Sequence, residues 1–339
     1  MKRNLIFTLL SIVTVLLFVA NIVYGSVTIP FGEVLSALFG GDDTQGVNSI
    51  IILSSRMPGA ITALLAGGAL AVSGMLLQTL FGNPLADPSI LGVSSGAGLG
   101  VAVVMLGLGG SLSTLGLYGH LAVVFAAFVG AAVILGAIIA FSTKIKSNIM
   151  LLVVGIMIGY IASSAITMLN FYAQSDGVVS YIIWGMGDFS GVTESNLIYF
   201  LVFVLIGLAS SVFLIKPLNA LLLGERYSEN LGVNIRRIRI FVLIVTGILT
   251  AVVTAFCGPI SFIGLAVPHI ARLLFRTSGH GVLVPATILI GSIVALSCNL
   301  LSVVLFNGTV IPLNVITPLV GAPVIIYVII NKKKIAYFN

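Results

Sequence analysis

The chain has 339 residues, of which 59% are hydrophobic and only 7% are charged, whereas soluble domains carry about 25% charged residues. A soluble core could not bury so much apolar surface, because single cores stop growing at about this length. A nucleic-acid surface is also excluded, since the net charge of +6 comes from short basic clusters at segment ends. Composition therefore predicts an all-α polytopic membrane protein with lipid as its solvent.

Apolar runs bounded by glycine, proline and polar clusters predict about ten transmembrane helices in a single domain, 1–339. Each run is near the roughly 20 residues that a spanning helix requires. The first is longer than the core of a secretory signal and no A-x-A site follows it, so we assign it as a span. The predicted spans are 5–24, 58–80, 90–108, 119–141, 149–171, 195–215, 238–256, 259–274, 282–306 and 316–331.

The basic residues predict the orientation of these spans. An even number of spans puts both termini on one side, which the positive-inside rule assigns to the cytoplasm. Every Lys and Arg then lies inside except Arg56, including Lys2, Arg3, Lys146 and the terminal Lys332–Lys334. The residues predicted to lie outside include an acidic group: Glu33, Asp42, Asp43, Asp176, Asp188 and Glu194.

The segment 82–88, Gly-Asn-Pro-Leu-Ala-Asp-Pro, ends the second span, because its two prolines remove backbone donors. Broken backbone beside spanning helices is tolerated where it is buried in protein or lines a cavity. Asn83, Pro84 and Asp87 are therefore candidates for a path through the bundle. Asp87 is also open to a second interpretation, as a cap of the third span, because a helix amino terminus favours negative charge.

Small residues recur at helical spacing and predict close contacts between helices. Gly92, Gly96 and Gly100 are four residues apart, and Gly155 and Gly159 form a GxxxG pair. In lipid, helices associate largely through small residues that let their backbones approach.

The segment 216–239 is the longest one predicted to be cytoplasmic. Gly232 suits the carboxyl terminus of a short amphipathic helix there. Such a helix is suited either to bind a soluble partner or to lie on the lipid headgroups, and its residues leave both open. Four apolar residues can share one helical face: Leu218, Leu221, Leu222 and Tyr227.

Motifs for intrinsic chemistry are absent from the sequence. The chain has no Walker A pattern, so it does not bind ATP through a P-loop, and it has no HExxH motif. Cys257 and Cys298 lie in apolar runs and are interpreted as small hydrophobic residues. Coupling to an ion gradient would require an ionisable group at membrane depth, for which Asp87 and His269 are the candidates. We expect no metal or cofactor bound by this chain.

Four stretches resemble the iron-siderophore, haem and cobalamin permeases, the membrane subunits of type II ABC importers. They read SRMPGAITALLAGGALAVSGMLLQTLFGNPLADPSILGVSSGAGLG, GERYSENLGVNIRRIR, GPISFIGLAVPHIARLL and IPLNVITPLVGAPVIIY. The similarity extends from about residue 30 to 331, and the first and third stretches are highly specific.

The resemblance implies a ten-helix permease of the bacterial cytoplasmic membrane that works as a homodimer. Two cytoplasmic ATPase subunits, which bind ATP and Mg, would dock on the loop 216–239, and a periplasmic or lipoprotein binding protein would deliver substrate outside. The cargo would be a ferric siderophore or haem, with cobalamin as the alternative within the family and an ion-coupled secondary transporter as the rival. The residues implied in coupling are Leu221, Leu222, Glu225, Arg226, Glu229, Leu231 and Gly232.

Two further roles follow only from the resemblance. Arg56 corresponds to an outward arginine that pairs with acidic residues of the binding protein, although family members often read RLPR where this chain has Arg56-Met-Pro-Gly59. Asn148, at the cytoplasmic start of the fifth span, corresponds to the region of the inner gate.

Overall fold

The computed structural model describes residues 2–39, 46–108, 116–145, 147–305 and 310–330. Some residues used to predict the orientation of the spans lie outside these ranges: Asp42, Asp43, Lys146 and Lys332–Lys334. The described residues form fifteen α-helices and one π-helical turn, Ile52–Arg56, and contain no strand. In chain order the helices are α1 (Lys2–Val23), α2 (Phe31–Phe39), α3 (Val47–Ile51), α4 (Met57–Phe81), α5 (Val93–Leu108), α6 (Gly116–Lys144), α7 (Asn148–Tyr172), α8 (Ser175–Gly185), α9 (Glu194–Phe213), α10 (Ile215–Leu221), α11 (Glu225–Asn230), α12 (Ile235–Cys257), α13 (Ile263–Phe275), α14 (His280–Val304) and α15 (Leu313–Ile330).

The predicted spans match ten segments of this bundle. Within the described residues, eight helical segments are long and apolar enough to cross a membrane, and α5 and α13 are shorter apolar helices. One of the eight is the continuous stretch 47–81, which joins α3, the π-helical turn and α4 over 35 residues. The second span was therefore predicted too short at its start, because Asn48 and the pair Ser54-Ser55 interrupt the apolar run that the helix nevertheless continues through.

The helix α4 is the centre of the bundle. It packs against α1, α9, α12, α13 and α14. Of an apolar stretch of 18 residues in this span, 83% of the residues are buried, against 17% for α1. Its sequence is rich in alanine and glycine, which permits close approach of neighbouring backbones. A second group forms around α5, which packs against α6, α7 and α8.

The glycines predicted to mediate packing divide between two partners. A Cβ on Gly100 would lie 2.0 Å from the carbonyl oxygen of Ala126 in α6, and a Cβ on Gly96 would lie 2.6 Å from that of Gly130. Gly92 is not part of this stripe, because it precedes α5 with a φ of +79° and approaches Gly155 and Gly159 of α7. Gly92 therefore forms a turn and a contact with α7, although it lies four residues before Gly96.

The helix α13 begins inside the bundle. A Cβ on Gly74 would lie 1.8 Å from the carbonyl oxygen of Gly264, so the first turn of α13 lies beside the inner turns of α4. Its 13 residues extend about 20 Å at 1.5 Å per residue, less than the roughly 30 Å of a bilayer core. Phe262, which precedes it, has a φ of +70° and packs against Gly321 of α15.

Candidate functional site

The two ends of the bundle differ in charge. One end, which we call the basic end, carries Lys144 and the arginines of α11 to α13 and holds α10 and α11. The opposite acidic end carries Glu33, Asp176, Asp188 and Glu194. One contact at each end joins neighbouring elements: Nη1 of Arg239 donates to the Ile145 carbonyl at the basic end, and the Asp188 amide donates to the Cys257 carbonyl at the acidic end.

The loop 216–239 contains two helices, α10 and α11, rather than the single amphipathic helix expected from Leu218, Leu221, Leu222 and Tyr227. The prediction of one shared face is wrong because Gly224 has a φ of +98°, which α-helical backbone does not permit. Leu218 is fully buried against the bundle, whereas Tyr227 is exposed.

Gly232 ends α11 in a Schellman motif, at the position where a helix terminus was expected. Its φ is +81°. The amide of Gly232 donates to the Glu229 carbonyl (2.9 Å) and the amide of Val233 donates to the Ser228 carbonyl (3.0 Å), which is the hydrogen-bond pattern of this motif. The chain then turns sharply into α12, whose first turn is capped by the side chain of Asn234.

The loop presents an apolar surface flanked by charges. Arg226 and Glu229 are exposed, while Leu221 and Leu222 are half-buried. The apolar side chains that do face outward are Leu223, Tyr227 and Leu231. Leu223 was not predicted as an exposed residue, because hydrophobic periodicity does not reveal the turn at Gly224 that follows it.

Glu225 connects this loop to the start of α7. Its Oε1 accepts a hydrogen bond from Nδ2 of Asn148 at 2.8 Å and lies 3.7 Å from Nη2 of Arg239. Asn148 Nδ2 also donates to the Leu80 carbonyl at 3.0 Å, one residue before α4 ends. Asn148 and Glu225, which were predicted as separate sites for a gate and a dock, are thus in direct contact.

The last three residues of the segment 82–88 are buried at the basic end, whereas Leu85 is exposed. Asp87 does not cap the third span, because α5 begins only at Val93. Instead Oδ2 of Asp87 accepts from the amide and hydroxyl of Ser89, and its Oδ1 lies against Gly264. The interpretation of Asp87 as a helix cap is therefore wrong. Burial of the Asp87 carboxyl raises its pKa, because desolvation disfavours the charged form.

Two further contacts hold the buried basic end together, and sequence reasoning identified neither. Nε2 of His269 lies 2.8 Å from the Pro84 carbonyl, so this ring nitrogen donates to it. Nη1 of the buried Arg272 donates to Oε1 of Gln78 at 2.6 Å. A glutamine inside an apolar span was the available signal, since a buried polar side chain requires a partner.

Arg56, at the acidic end, interacts with its own bundle. Its Nη1 donates to the carbonyls of Ile22 (3.1 Å) and Val23 (2.7 Å), and its Nη2 donates to that of Val27. Ile22 and Val23 are the last residues of α1. The cation therefore satisfies carbonyls that the helix leaves unpaired, at the terminus where the helix dipole favours positive charge.

A cleft of about 620 Å³ opens at the acidic end between α5, α6, α8 and α12. Its lining combines carboxylates with aromatic and sulfur-containing side chains, including Asp176, Trp184, Asp188, Phe256 and Cys257. Among the described residues, no group of three or more His, Cys, Asp or Glu side chains could hold a metal ion.

Comparison with known proteins extends over nearly the whole chain. The profile of a family described as the FecCD transport family matches residues 13–331. The vitamin B12 import system permease protein BtuC of Klebsiella pneumoniae is 34% identical over 327 residues, which cover 96% of this chain and 92% of that protein. The protein of the same description from Salmonella typhi is 35% identical over 298 residues, covering 87% and 88%.

A solved structure has the same architecture. It is described as an inward-facing conformation of a metal-chelate type ABC transporter, and it superposes with a TM-score of 0.82 at 27% sequence identity. The match covers 97% of this chain and 99% of the other.

Proposed function

This chain belongs to the FecCD transport family as a permease subunit of an ABC importer, and we propose that its cargo is a bulky metal chelate. The observation that supports the proposal most strongly is the match to vitamin B12 permeases across 96% of the chain. Cobalamin is therefore the first chelate to test, and a ferric siderophore or haem, the cargo that the family resemblance implied first, is the alternative.

We further propose that the basic end faces the cytoplasm and the acidic end faces outward, with both termini inside. The support is electrostatic, because Lys and Arg accumulate on the cytoplasmic ends of membrane spans. At the described basic end, Arg226, Arg236, Arg237 and Arg276 carry this bias. The protein is a multi-pass inner-membrane protein, so this assignment sets only its direction.

The proposed partners follow from that direction. A second copy of the chain would complete the translocation path, and the candidates to line its inner mouth are Asn83, Pro84, Asp87 and Asn148. One ATPase subunit per copy would bind ATP and Mg and dock on the loop 216–239, where Leu223, Tyr227 and Leu231 offer apolar contact area. A binding protein would meet the acidic end near Arg56.

Uptake by proteoliposomes tests this function. Vesicles holding the chain with its ATPase and binding protein should accumulate labelled cobalamin only when ATP is present. An ATPase whose P-loop lysine is replaced is the matched control and should abolish uptake. ATP-dependent accumulation of a labelled ferric siderophore or haem, but not of labelled cobalamin, would reassign the cargo to an iron chelate. Uptake driven by an ion gradient without the ATPase would contradict the proposed function.

A further inference from the structure

A chain of polar groups, buried at Thr79 and His280 and half-buried at Asn219, links the loop 216–239 to α4 through the first residue of α14. His280 is fully buried, and its ring lies between Asn219 of α10 and Thr79 of α4. Nδ1 of His280 is 2.9 Å from Oδ1 of Asn219, and its Nε2 is 2.9 Å from the hydroxyl of Thr79. Three elements that are distant in sequence therefore meet at one imidazole.

The donors and acceptors in this chain are determined by the backbone. The amide of His280 donates to Oδ1 of Asn219 at 2.8 Å, which identifies that atom as the carbonyl oxygen, because a backbone amide can only donate. The oxygen also accepts from Nδ1, so Nδ1 carries the hydrogen. In the neutral ring Nε2 is then an acceptor. The Thr79 hydroxyl therefore shares its one hydrogen between this nitrogen (2.9 Å) and the Met75 carbonyl (3.0 Å).

Thr79 lies where α4 ends and the segment 82–88 begins. Its neighbour Leu80 provides the carbonyl that accepts from Asn148, and Gly82 leaves the helix with a φ of +56°. The same turn of α4 is thus connected to α10 through His280 and to α11 through Asn148 and Glu225. Movement of α10 or α11 would therefore displace the residues at which α4 ends and the segment 82–88 begins.

Apolar side chains would fill this site at lower desolvation cost. Such a chain requires every member to be satisfied, and the best-attested use of polar groups kept at this cost is to specify one arrangement or to act in a switch. We propose that Asn219 and His280 are positioning residues that transmit movement of the loop 216–239 to the end of α4. This inference rests on the function proposed above, in which that loop receives the ATPase.

Paired substitutions at the two ends of the chain test the relay. Asn219→Leu removes the acceptor, whereas Asn219→Asp keeps it; Thr79→Val removes the donor, whereas Thr79→Ser keeps it. In proteoliposomes with ATPase and binding protein, the first variant of each pair should lower the cargo transported per ATP about tenfold, the factor expected from losing a buried hydrogen bond. The conservative variants should restore this ratio.

A matched control breaks a similar hydrogen bond elsewhere. Nδ2 of the buried Asn21 donates to the Leu296 carbonyl, and Asn299 donates to its Oδ1. Asn21→Leu should lower the melting temperature and leave the transport-to-ATP ratio unchanged. A purely structural role for Asn219 would give the result of this control. The relay is overturned if Asn219→Leu and Thr79→Val both keep the wild-type ratio.

A second readout does not depend on the cargo. Spin labels are placed singly at Leu85 and at Glu229, and the distance between the two copies of each label is measured with the ATPase bound, with and without ATP. We expect both distances to change in the wild type, and only the Glu229 distance to change in Asn219→Leu. That result supports the relay even where cobalamin is not transported. Equal changes in the variant would overturn it, and a wild type that neither transports nor moves would overturn the proposed function as well.

Discussion

Glu225 illustrates how one side chain joins two proposed roles. It is half-exposed, with 49% of its side chain accessible, so its ion pair with Arg239 adds only about 0–1 kcal/mol to stability. Its bond to Asn148 is instead a geometric constraint, because Asn148 is held at the same time by the Leu80 carbonyl. We therefore infer that Glu225 positions α11 against α7 and contributes little to the stability of the fold.

Arg56 is the residue for which the structure changes the expected effect of mutation. Arg56→Glu places a negative charge at the carboxyl terminus of α1, where the helix dipole opposes it, and it removes the donors to three carbonyls. We expect docking of the binding protein to weaken, most clearly at low salt, together with a lower melting temperature. Both are measured on the detergent-purified chain.

The lysine variant provides the control for this residue. Arg56→Lys keeps the charge but loses the fork that reaches several carbonyls at once, so it should lower the melting temperature and retain most of the docking. Unchanged docking in Arg56→Glu would show that the outer face uses other contacts. Lost docking without any change in melting temperature would show that the α1 cap is unimportant.

At the level of elements, hydrophobic runs predicted the long helices well. Each of the ten spans corresponds to a helix, because a run of apolar residues in lipid must satisfy its backbone internally. The short helices α2, α8, α10 and α11 were not predicted as separate elements, since none is a long apolar run. The break at Gly224 depends on one backbone angle, and the Asx turn of Asp87 depends on tertiary packing.

Helix contacts at glycine lead to a stability prediction. Gly100→Ala would put a Cβ 2.0 Å from the Ala126 carbonyl oxygen, whereas nothing lies within 4 Å of a Cβ on Gly107 in the same helix. Overpacking of this kind costs about 1–3 kcal/mol, so Gly100→Ala should lower the melting temperature of the purified protein. Gly107→Ala is the matched control and should leave it unchanged or raise it. Equal melting temperatures for both variants would contradict the packing between α5 and α6.

At the scale of the whole molecule, the sequence predicted the fold better than it predicted which residues contact one another. Hydropathy predicted the all-α membrane fold and the approximate number of spans, the resemblance of four stretches predicted the family, and all three are confirmed. The contact between Asn148 and Glu225, and the buried position of His280 beside Asn219, were not predicted. These pairs are separated by tens of residues, and only packing of the bundle brings them together.

The proposed function requires the loop 216–239 to face the cytoplasm and to bind the ATPase. The most direct measurement is labelling of Glu229→Cys by a membrane-impermeant maleimide in vesicles of both orientations. Cys257 and Cys298 are buried, so the chain without the new cysteine is the background control. We predict labelling in inside-out vesicles only, and protection when the ATPase subunit is added. Labelling from the outer face of right-side-out vesicles would contradict the proposed orientation, and full labelling with the ATPase bound would contradict the proposed docking site.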